Sequence, residues 1–232
     1  MSKIPTLAEM LKAGMHFGHK SSKRHPKMAP FIYTTRGGIN ILDLNQTAEK
    51  LQEALNVVKK LSEENKTILF VGTKKQAQKA IKKYAEECKM PYIANRWIGG
   101  FFTNYGVFKK NIKKYIDLKD KLEKGELDKY TKHEKMKFKK EIDKLEGLVG
   151  GLVNLNKLPD LIFVVDTKKD KIAIREAIKM HIPVIAICDT NSNLSDINYP
   201  IPANDDALKS IEIITRLVAE AVNEGKKEEI KN

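Results

Sequence analysis

Residues 67–87 read TILFVGTKKQAQKAIKKYAEE, and two different hydrophobic patterns meet in this stretch. The run from Thr67 to Val71 is almost entirely apolar and ends at Gly72, which is typical of a strand buried on both faces of a sheet. The apolar residues that follow, at positions 77, 80, 81, 84 and 85, are spaced at the helical period. The stretch therefore predicts one strand–turn–helix unit of an α/β domain.

The same pattern recurs later in the chain. LIFVVD at 161–166 and VIAICD at 184–189 are further patterns of buried strands, and each ends at an aspartate. Amphipathic helical patterns follow, the first beginning at Asp170, which is placed to cap its helix, and the second at 204–205. Repeated strand–helix–strand units predict a doubly wound, flavodoxin-like parallel sheet with helices on both faces.

Between two of these units the apolar residues adopt a seven-residue repeat. They lie at positions 105, 108, 112, 115, 118 and 122 on a first arm, and at 138, 142, 145, 149 and 152 on a second. Gly125 separates the arms, and Thr131 and Glu134 have the spacing of a capping box that starts the second helix. The pattern predicts an inserted antiparallel coiled-coil hairpin that projects from the globular body. Two ordinary amphipathic core helices are the alternative.

These patterns divide the chain into three parts. Residues 1–103 and 154–225 are predicted to form a discontinuous α/β globular domain with a basic N-terminal segment at 1–38, residues 104–153 the coiled-coil hairpin, and residues 226–232 a charged tail. A length of 232 residues suits one core with an appendage. Because no apolar run reaches the ~18 residues of a membrane span and no signal-peptide pattern opens the chain, we expect a cytoplasmic protein without membrane contact.

The chain lacks the motifs of nucleotide-binding enzymes. Residues 72–75, Gly-Thr-Lys-Lys, stand where α/β proteins bind phosphate, but they form no Walker loop, and no G-x-G-x-x-G occurs. Asp166 and Asp189 each end a strand and are expected at the crevice of the sheet, without a nucleophile or base to accompany them. We expect no enzyme activity. An enzyme that binds a nucleotide or an acidic metabolite in this crevice is the rival hypothesis.

No metal or other cofactor is predicted. Cys88 and Cys188 have no metal-ligand partner at short spacing, and we expect both thiols to be buried in a reducing compartment. His16 and His19 could share a helix face, but the clustered cysteines that would complete a zinc site are absent. The sequence leaves open whether a cation is held by His16, His19, Asp189 or Asp205.

The basic charge is unevenly distributed. The net charge is +13, from 43 Lys and Arg against 30 Asp and Glu. Residues 1–40, 41–103 and 104–146 carry +6, +4 and +5, whereas residues 147–203 are neutral and residues 204–232 carry −2. A uniform solubilising coat would not be confined to the first two thirds of the chain, so we expect a face that binds nucleic acid. Because lysine predominates, phosphate contacts are favoured over base reading.

Three regions supply the candidate RNA-binding residues. The segment 19–38 mixes basic residues with Pro, Gly, Phe31 and Tyr33, and it predicts an irregular loop for phosphate contacts and base stacking. Arg96 lies beside the only Trp, within a segment whose aromatic residues are expected in the core. The hairpin carries lysine ridges, for which simple solvation is the alternative. The predicted RNA-binding residues are Lys20, Lys23, Arg24, His25, Lys27, Arg36, Arg96, Lys109, Lys110, Lys113, Lys114, Lys132, Lys135, Lys139 and Lys140.

Eight segments, taken in their order along the chain, resemble the sequence motifs of a single protein family. They are AGMHFGHK at 13–20, HPKMAPFIY at 25–33, INILDLNQT at 39–47, ILFVGTKKQAQ at 68–78, NRWIGGFFTN at 95–104, LPDLIFVVD at 158–166, IPVIAICDTN at 182–191 and YPIPANDDA at 199–207. Over nearly its full length, the chain resembles the bacterial small-subunit ribosomal protein two (S-two) family. It departs from that family at Arg24 and His25, where the family usually has Trp-Asn, so stacking by that Trp is absent.

The resemblance implies an α/β domain with an inserted coiled-coil hairpin and a structural role in the small ribosomal subunit. The implied partners are small-subunit rRNA and neighbouring small-subunit ribosomal proteins. These proteins include the first protein of the subunit, a large mRNA-binding protein that the family helps to dock near the mRNA exit. A protein-interaction module that uses the hairpin without binding RNA is the remaining alternative.

Overall fold

The computed structural model describes residues 4–126 and 130–229 and confirms an α/β architecture. The strands are β1 Phe17–Lys20, β2 Ile32–Arg36, β3 Ile39–Leu42, β4 Ile68–Val71, β5 Tyr92–Ile93, β6 Leu161–Val164, β7 Val184–Cys188 and β8 Tyr199–Pro202. The helices are α1 Leu7–Lys12, α2 Leu44–Glu63, α3 Lys75–Glu87, α4 Tyr105–Glu123, α5 Lys132–Val149, α6 Lys171–Lys179 and α7 Leu208–Glu229.

The central sheet has five parallel strands in the order β5-β4-β6-β7-β8. Numbered along the chain, this order is 2-1-3-4-5, the arrangement of flavodoxin-like doubly wound folds. The direction of winding reverses between β4 and β6, where Phe70 lies opposite Phe163. The switch point, at which such folds usually place a ligand, therefore lies at the carboxyl ends of β4 and β6.

Strands β4, β6 and β7 each contribute to two hydrophobic cores because successive side chains point to opposite faces. In β4, Ile68 and Phe70 belong to one core, whereas Leu69 and Val71 belong to the other. Helices α2, α3 and α7 cover the first core, and α6 covers the second together with residues of α4 and α5. This two-sided burial explains why the strands read as continuous apolar runs rather than as alternating ones.

Helices α4 and α5 contact each other, and they are unequally buried along their lengths. Near the sheet, Ile112 of α4 and Ile142 of α5 are buried in the second core. Farther out, Leu122 is 47% exposed and Met136 is 53% exposed. The helix pair is therefore buried in the second core at one end. The charged sequence pattern, by contrast, predicts that both helices lie outside the core.

The start of α5 agrees with the sequence. Thr131 accepts a hydrogen bond from the backbone N–H of Glu134, and the Glu134 carboxylate accepts one from the backbone N–H of Thr131. This reciprocal pair confirms the predicted capping box. Residues 127–129 lie outside the described part of the chain.

The basic segment at 19–38 is ordered, and its prediction as an irregular loop is wrong. Strands β1, β3 and β2 form a second, antiparallel sheet in that order, and 3₁₀ turns at Ser21–Lys23 and Pro26–Phe31 connect β1 to β2. Gly37 and Gly38 join β2 to β3 with φ of 56° and 75°, values that suit the tight turn of a hairpin. The Pro and Gly residues of this segment make its short strands hard to recognise in the sequence. In the folded chain, pairing between the strands satisfies the backbone N–H and C=O groups of the strands.

Helix α7 extends to Glu229, so residues 226–229 of the predicted charged tail are helical, and residues 230–232 lie outside the described residues. The Lys226 ammonium donates a hydrogen bond of 2.8 Å to the carbonyl of Cys88, which joins this end of α7 to the end of α3. Within residues 4–126 and 130–229, none of the helices is long and apolar enough to cross a membrane.

Candidate nucleic-acid interface and the crevice of the sheet

The crevice at the switch point contains a partly buried lysine bound by carboxylates. Lys74 follows β4, and its Nζ lies 3.1 Å from Asp166 at the end of β6. The same Nζ lies 2.8 Å from Asp205 and 2.6 Å from Asp206, which precede α7. Burial alone would lower the pKa of Lys74, but the hydrogen bonds to Asp205 and Asp206 outweigh it, so this pKa lies above its ordinary value.

A histidine from the small sheet completes the cluster. His19 of β1 lies with Nδ1 2.9 Å from Asp189, at the end of β7, and with Nε2 3.5 Å from Asp206. The hydrogen bond to Asp189 raises the pKa of His19. Burial raises the pKa of Asp205 to about 7, and the nearby Asp166 carboxylate adds to this shift. The cluster ties β1 to the carboxyl edge of the central sheet.

The charge of this cluster opposes anion binding. The four carboxylates of Asp166, Asp189, Asp205 and Asp206 face the single ammonium of Lys74 and the imidazole of His19. A phosphate in the crevice would meet excess negative charge, so the geometry gives no support to the rival hypothesis of a nucleotide-binding enzyme.

The residues suited to holding a cation lie in the same cluster. His19, Asp189, Asp205 and Asp206 each offer one ligand atom, and these atoms lie within 4.8 Å of one another. Carboxylate oxygens and imidazole are ordinary ligands for divalent metals. The Lys74 ammonium already neutralises part of the group, so an ion would compete with it. His16 is not in this group, and its ring lies 4.0 Å from that of Phe17.

The small sheet brings two of the predicted RNA-binding residues into one row. Lys20 of β1 and Arg36 of β2 both lie opposite Ile39 of the middle strand β3, so the three side chains share a face. All three are exposed. At two strand spacings, the backbones of Lys20 and Arg36 are ~10 Å apart, a separation that suits contacts with different phosphates.

The 3₁₀ turns between β1 and β2 hold the other basic residues of this segment. Lys23 and Arg24 are exposed. His25 accepts a hydrogen bond on Nδ1 from the backbone N–H of Lys27, at 3.2 Å. The ammonium of Lys27 is 2.5 Å from the hydroxyl of Ser195, so part of its hydrogen-bonding capacity is used within the chain.

Arg96 lies on a loop that a buried carboxylate holds in place. Glu176 of α6 accepts hydrogen bonds from Trp97 Nε1 at 3.2 Å and from the backbone N–H groups of Gly100 at 2.7 Å and Phe102 at 2.9 Å. The Trp97 ring is buried against Phe102, with ring centroids 5.0 Å apart. Arg96 itself is exposed.

The lysines of α4 and α5 lie on outward faces of the two helices. Lys109, Lys110, Lys113, Lys114, Lys132, Lys139 and Lys140 are exposed, and Lys135 is partly exposed. Lys114 forms an ion pair across the two helices with Glu141, which reduces its availability to a partner. The loop that carries Arg96 is joined to α5, because the Asn95 amide donates a 2.9 Å hydrogen bond to the carbonyl of Gly147.

Comparison with known proteins assigns the family of the chain. The family described as Ribosomal protein S2 matches residues 10–225. The chain belongs to this family. Ribosomal protein S2 is a structural and non-enzymatic family, which confirms the expected absence of enzyme activity.

Alignments with individual members of the Ribosomal protein S2 family cover most of the chain. The small ribosomal subunit protein uS2 of Coprothermobacter proteolyticus is 47% identical over 223 residues, which cover 96% of this chain and 83% of the relative. The proteins of the same name from Campylobacter curvus and Campylobacter concisus are 44% and 45% identical over 221 residues. Each of these alignments covers 95% of this chain and 84% of the relative.

Sequence reasoning missed two features of this S2-family chain. Glu176 lies in an ordinary amphipathic helix pattern, and only the folded structure shows that its carboxylate binds the loop 95–104. Lys74 stands in the strand-to-helix turn, but its three carboxylate partners are distant in sequence. The one available signal for Lys74 was that the buried strand at 161–166 ends in Asp166, at the same edge of the sheet as the turn after β4.

Proposed function

We propose that this chain is a structural component of the small ribosomal subunit that takes part in translation and binds rRNA through phosphate contacts. The observation that carries the proposal is the family assignment, with relatives named small ribosomal subunit protein uS2 at 44–47% identity. The excess of basic residues supports RNA as the partner, because a polyanion is what a chain of net charge +13 attracts.

Three surfaces are proposed to contact the RNA. The first is the small sheet with its turns, which carries Lys20, Lys23, Arg24, His25, Lys27 and Arg36. The second is the loop of Arg96. The third is the pair α4 and α5, which we propose acts as an antiparallel coiled-coil arm and contacts RNA through Lys109, Lys110, Lys113, Lys114, Lys132, Lys135, Lys139 and Lys140. Because bases within an RNA duplex are inaccessible to side chains, these lysines would read shape and phosphate spacing.

The proposal also includes contacts with neighbouring proteins of the small subunit. The chain would support docking of the first protein of the subunit, the large mRNA-binding protein, as its resemblance to the family implies. Its place of action would be the cytoplasmic translation machinery. The protein-interaction hypothesis differs in one respect, since it predicts that binding does not depend on the lysines of α4.

A salt titration tests the phosphate contacts. The chain is bound to small subunits that lack it, and its dissociation constant is measured between about 50 and 200 mM salt. If ~6 phosphates are neutralised, the affinity should fall roughly a thousandfold across this range. A dissociation constant that is independent of salt would rule out binding through phosphate contacts.

Charge reversal tests where the contacts lie. Replacing Lys109, Lys110, Lys113 and Lys114 with Glu should weaken binding and reduce the slope of log affinity against log salt by up to about four. The matched control replaces the exposed Lys168, Lys169, Lys171 and Lys179 with Glu, which changes the net charge equally in the neutral part of the chain. Equal losses in both variants would mean that net charge, and not the arm, governs binding.

A further inference from the structure

Tyr33 occupies an unusual position in the small sheet. It belongs to β2, an edge strand in the order β1-β3-β2, and its side chain is 76% exposed. Ile32 pairs with Leu42 and Thr34 pairs with Ile41, so Tyr33 is an extra residue on its strand, as in a β-bulge. A bulge redirects a side chain and interrupts pairing, and such irregularities are frequent near functional sites.

The Tyr33 side chain has no evident structural role. Its ring belongs to neither hydrophobic core, and within residues 4–126 and 130–229 it makes no ring contact and its hydroxyl forms no hydrogen bond. By contrast, the neighbouring Phe31 packs against the second core. A large amphipathic ring held in water on an ordered strand is suited to contact with a partner.

The surroundings of Tyr33 indicate the charge of that partner. Residues 10–42 contain no Asp or Glu, and this span includes the whole small sheet. Arg36 lies three residues further along the same strand, at the end of β2, and the row of Lys20, Ile39 and Arg36 crosses the sheet at that end. The carboxylate nearest along the chain is that of Asp43, directly after β3, and it accepts hydrogen bonds from the Asn45 N–H and from Gln46 Nε2. Asp189 and Asp206 bind His19 on the side of the crevice. A partner of the small sheet should therefore be an anion with an aromatic or apolar face.

We propose that Tyr33 is a stacking site for an unpaired nucleobase of RNA, with Arg36 and Lys20 contacting the adjoining phosphates. The inference rests on the proposed RNA-binding function and adds to it a class of ligand, because stacking requires a base that is free of a duplex. Every nucleobase has a flat π face, so the site would tolerate different sequences. The exposed ring contributes contact area, and the acid-free surface contributes charge.

Two substitutions separate stacking from charge. Tyr33→Ala should weaken binding to small subunits that lack this chain by about tenfold, because one base–aromatic stack is lost. Tyr33→Phe keeps the ring and should bind like the unaltered chain. Neither substitution removes a charge, so the salt dependence of binding should be unchanged, whereas Arg36→Gln should reduce its slope by about one. Because Tyr33 is exposed, the urea midpoint of each variant should match that of the unaltered chain.

Photo-crosslinking identifies the partner directly. A photoreactive phenylalanine derivative at position 33 should crosslink to an unpaired nucleotide in reconstituted small subunits. A crosslink to a protein, or to a base-paired nucleotide, would overturn the stacking site. If Tyr33→Ala binds normally while the four-lysine variant of α4 is impaired, the stacking proposal fails but the RNA-binding function stands. If both variants bind small subunits normally and the affinity does not depend on salt concentration, the proposed function fails as well.

Discussion

At the scale of single residues, two buried acidic side chains show how the chain uses carboxylates to fix loops. Glu176 accepts three N–H donors from the loop 95–104. Asp170 stands at the N-terminus of α6, as the sequence predicts, but its carboxylate accepts bonds from the backbone N–H and hydroxyl of Thr73 instead of capping its own helix. Each carboxylate therefore connects α6 to a loop that is distant in sequence.

Replacing the Glu176 carboxylate should destabilise the protein. Glu176→Gln puts an amide N–H₂ where an acceptor is needed, which leaves at least one buried N–H donor without a partner. Hydrogen bonds to charged groups contribute about 1.5–3 kcal/mol, so we expect the free energy of unfolding to fall by about 3 kcal/mol. Urea denaturation measures this change. Glu87→Gln, on an exposed position of α3, is the control and should change it by less than about 0.5 kcal/mol. Similar midpoints for the two variants would show that the Glu176 bonds are energetically minor.

The two thiols should be unreactive in the folded protein. Cys88 is 1% exposed and Cys188 is 0% exposed. Burial raises the pKa of the Cys88 thiol to about 11, so only about a thousandth of it is thiolate at pH 8, and burial raises the pKa of Cys188 as well. Ellman's reagent at pH 8 should label neither thiol in native protein and both after denaturation. Rapid labelling under native conditions would indicate that the core opens readily.

At the scale of elements, the helix pair α4 and α5 combines two environments. The end near the sheet is part of the second core, and the outer end keeps apolar residues such as Leu122 and Met136 in water. The apolar repeat is present along both helices, which is why the sequence predicts one uniform hairpin. The sequence could not show at which residues of α4 and α5 burial ends, because the position of that boundary depends on how far the globular body extends along the helices.

Truncating apolar side chains should reveal this gradient. Ile142→Ala removes a buried side chain at the inner end of α5 and should lower the free energy of unfolding by about 2–4 kcal/mol through lost burial and a cavity. Met136→Ala, at an exposed position of the same helix, should lower it by no more than about 0.5 kcal/mol. The comparison is made by urea denaturation. A large loss at Met136 would mean that the outer end is also packed.

The elements differ in how well the sequence predicts them. Buried parallel strands such as β4, β6 and β7 stand out as apolar runs, and the capping box at Thr131 marks the start of α5. Of the antiparallel sheet, the sequence predicts a short strand at 39–42, which the structure confirms as β3. Strands β1 and β2 were missed because they are four and five residues long and partly exposed, so they carry little hydrophobic signal. The pairing that stabilises them is visible only once β3 lies between β1 and β2.

At the scale of the whole molecule, the carboxylates of the crevice and the basic residues of the proposed interface occupy different places. The carboxylates of Asp166, Asp189 and Asp205 are buried at the carboxyl edge of the central sheet, whereas the lysines and arginines of the proposed interface lie on the surface. The sequence predicts the excess of basic charge and the positions of Asp166 and Asp189 at strand ends. It does not predict that Lys74 lies among these carboxylates, since their approach depends on the order of strands in the sheet.

The contact between His19 and Asp189 is one of several that hold the start of the small sheet against the loop after β7. The backbone N–H of His19 also donates a 2.9 Å hydrogen bond to the hydroxyl of Thr190, and the N–H of His25 donates one of 2.9 Å to the Thr190 carbonyl. Both ends of the turn that carries Lys23 and Arg24 are thus hydrogen-bonded to Thr190, in the loop after β7. In the proposed complex with RNA, the orientation of these two cations would therefore be set by groups on the other side of the turn. Loosening those hydrogen bonds would misalign the contact surface without removing any of its charges.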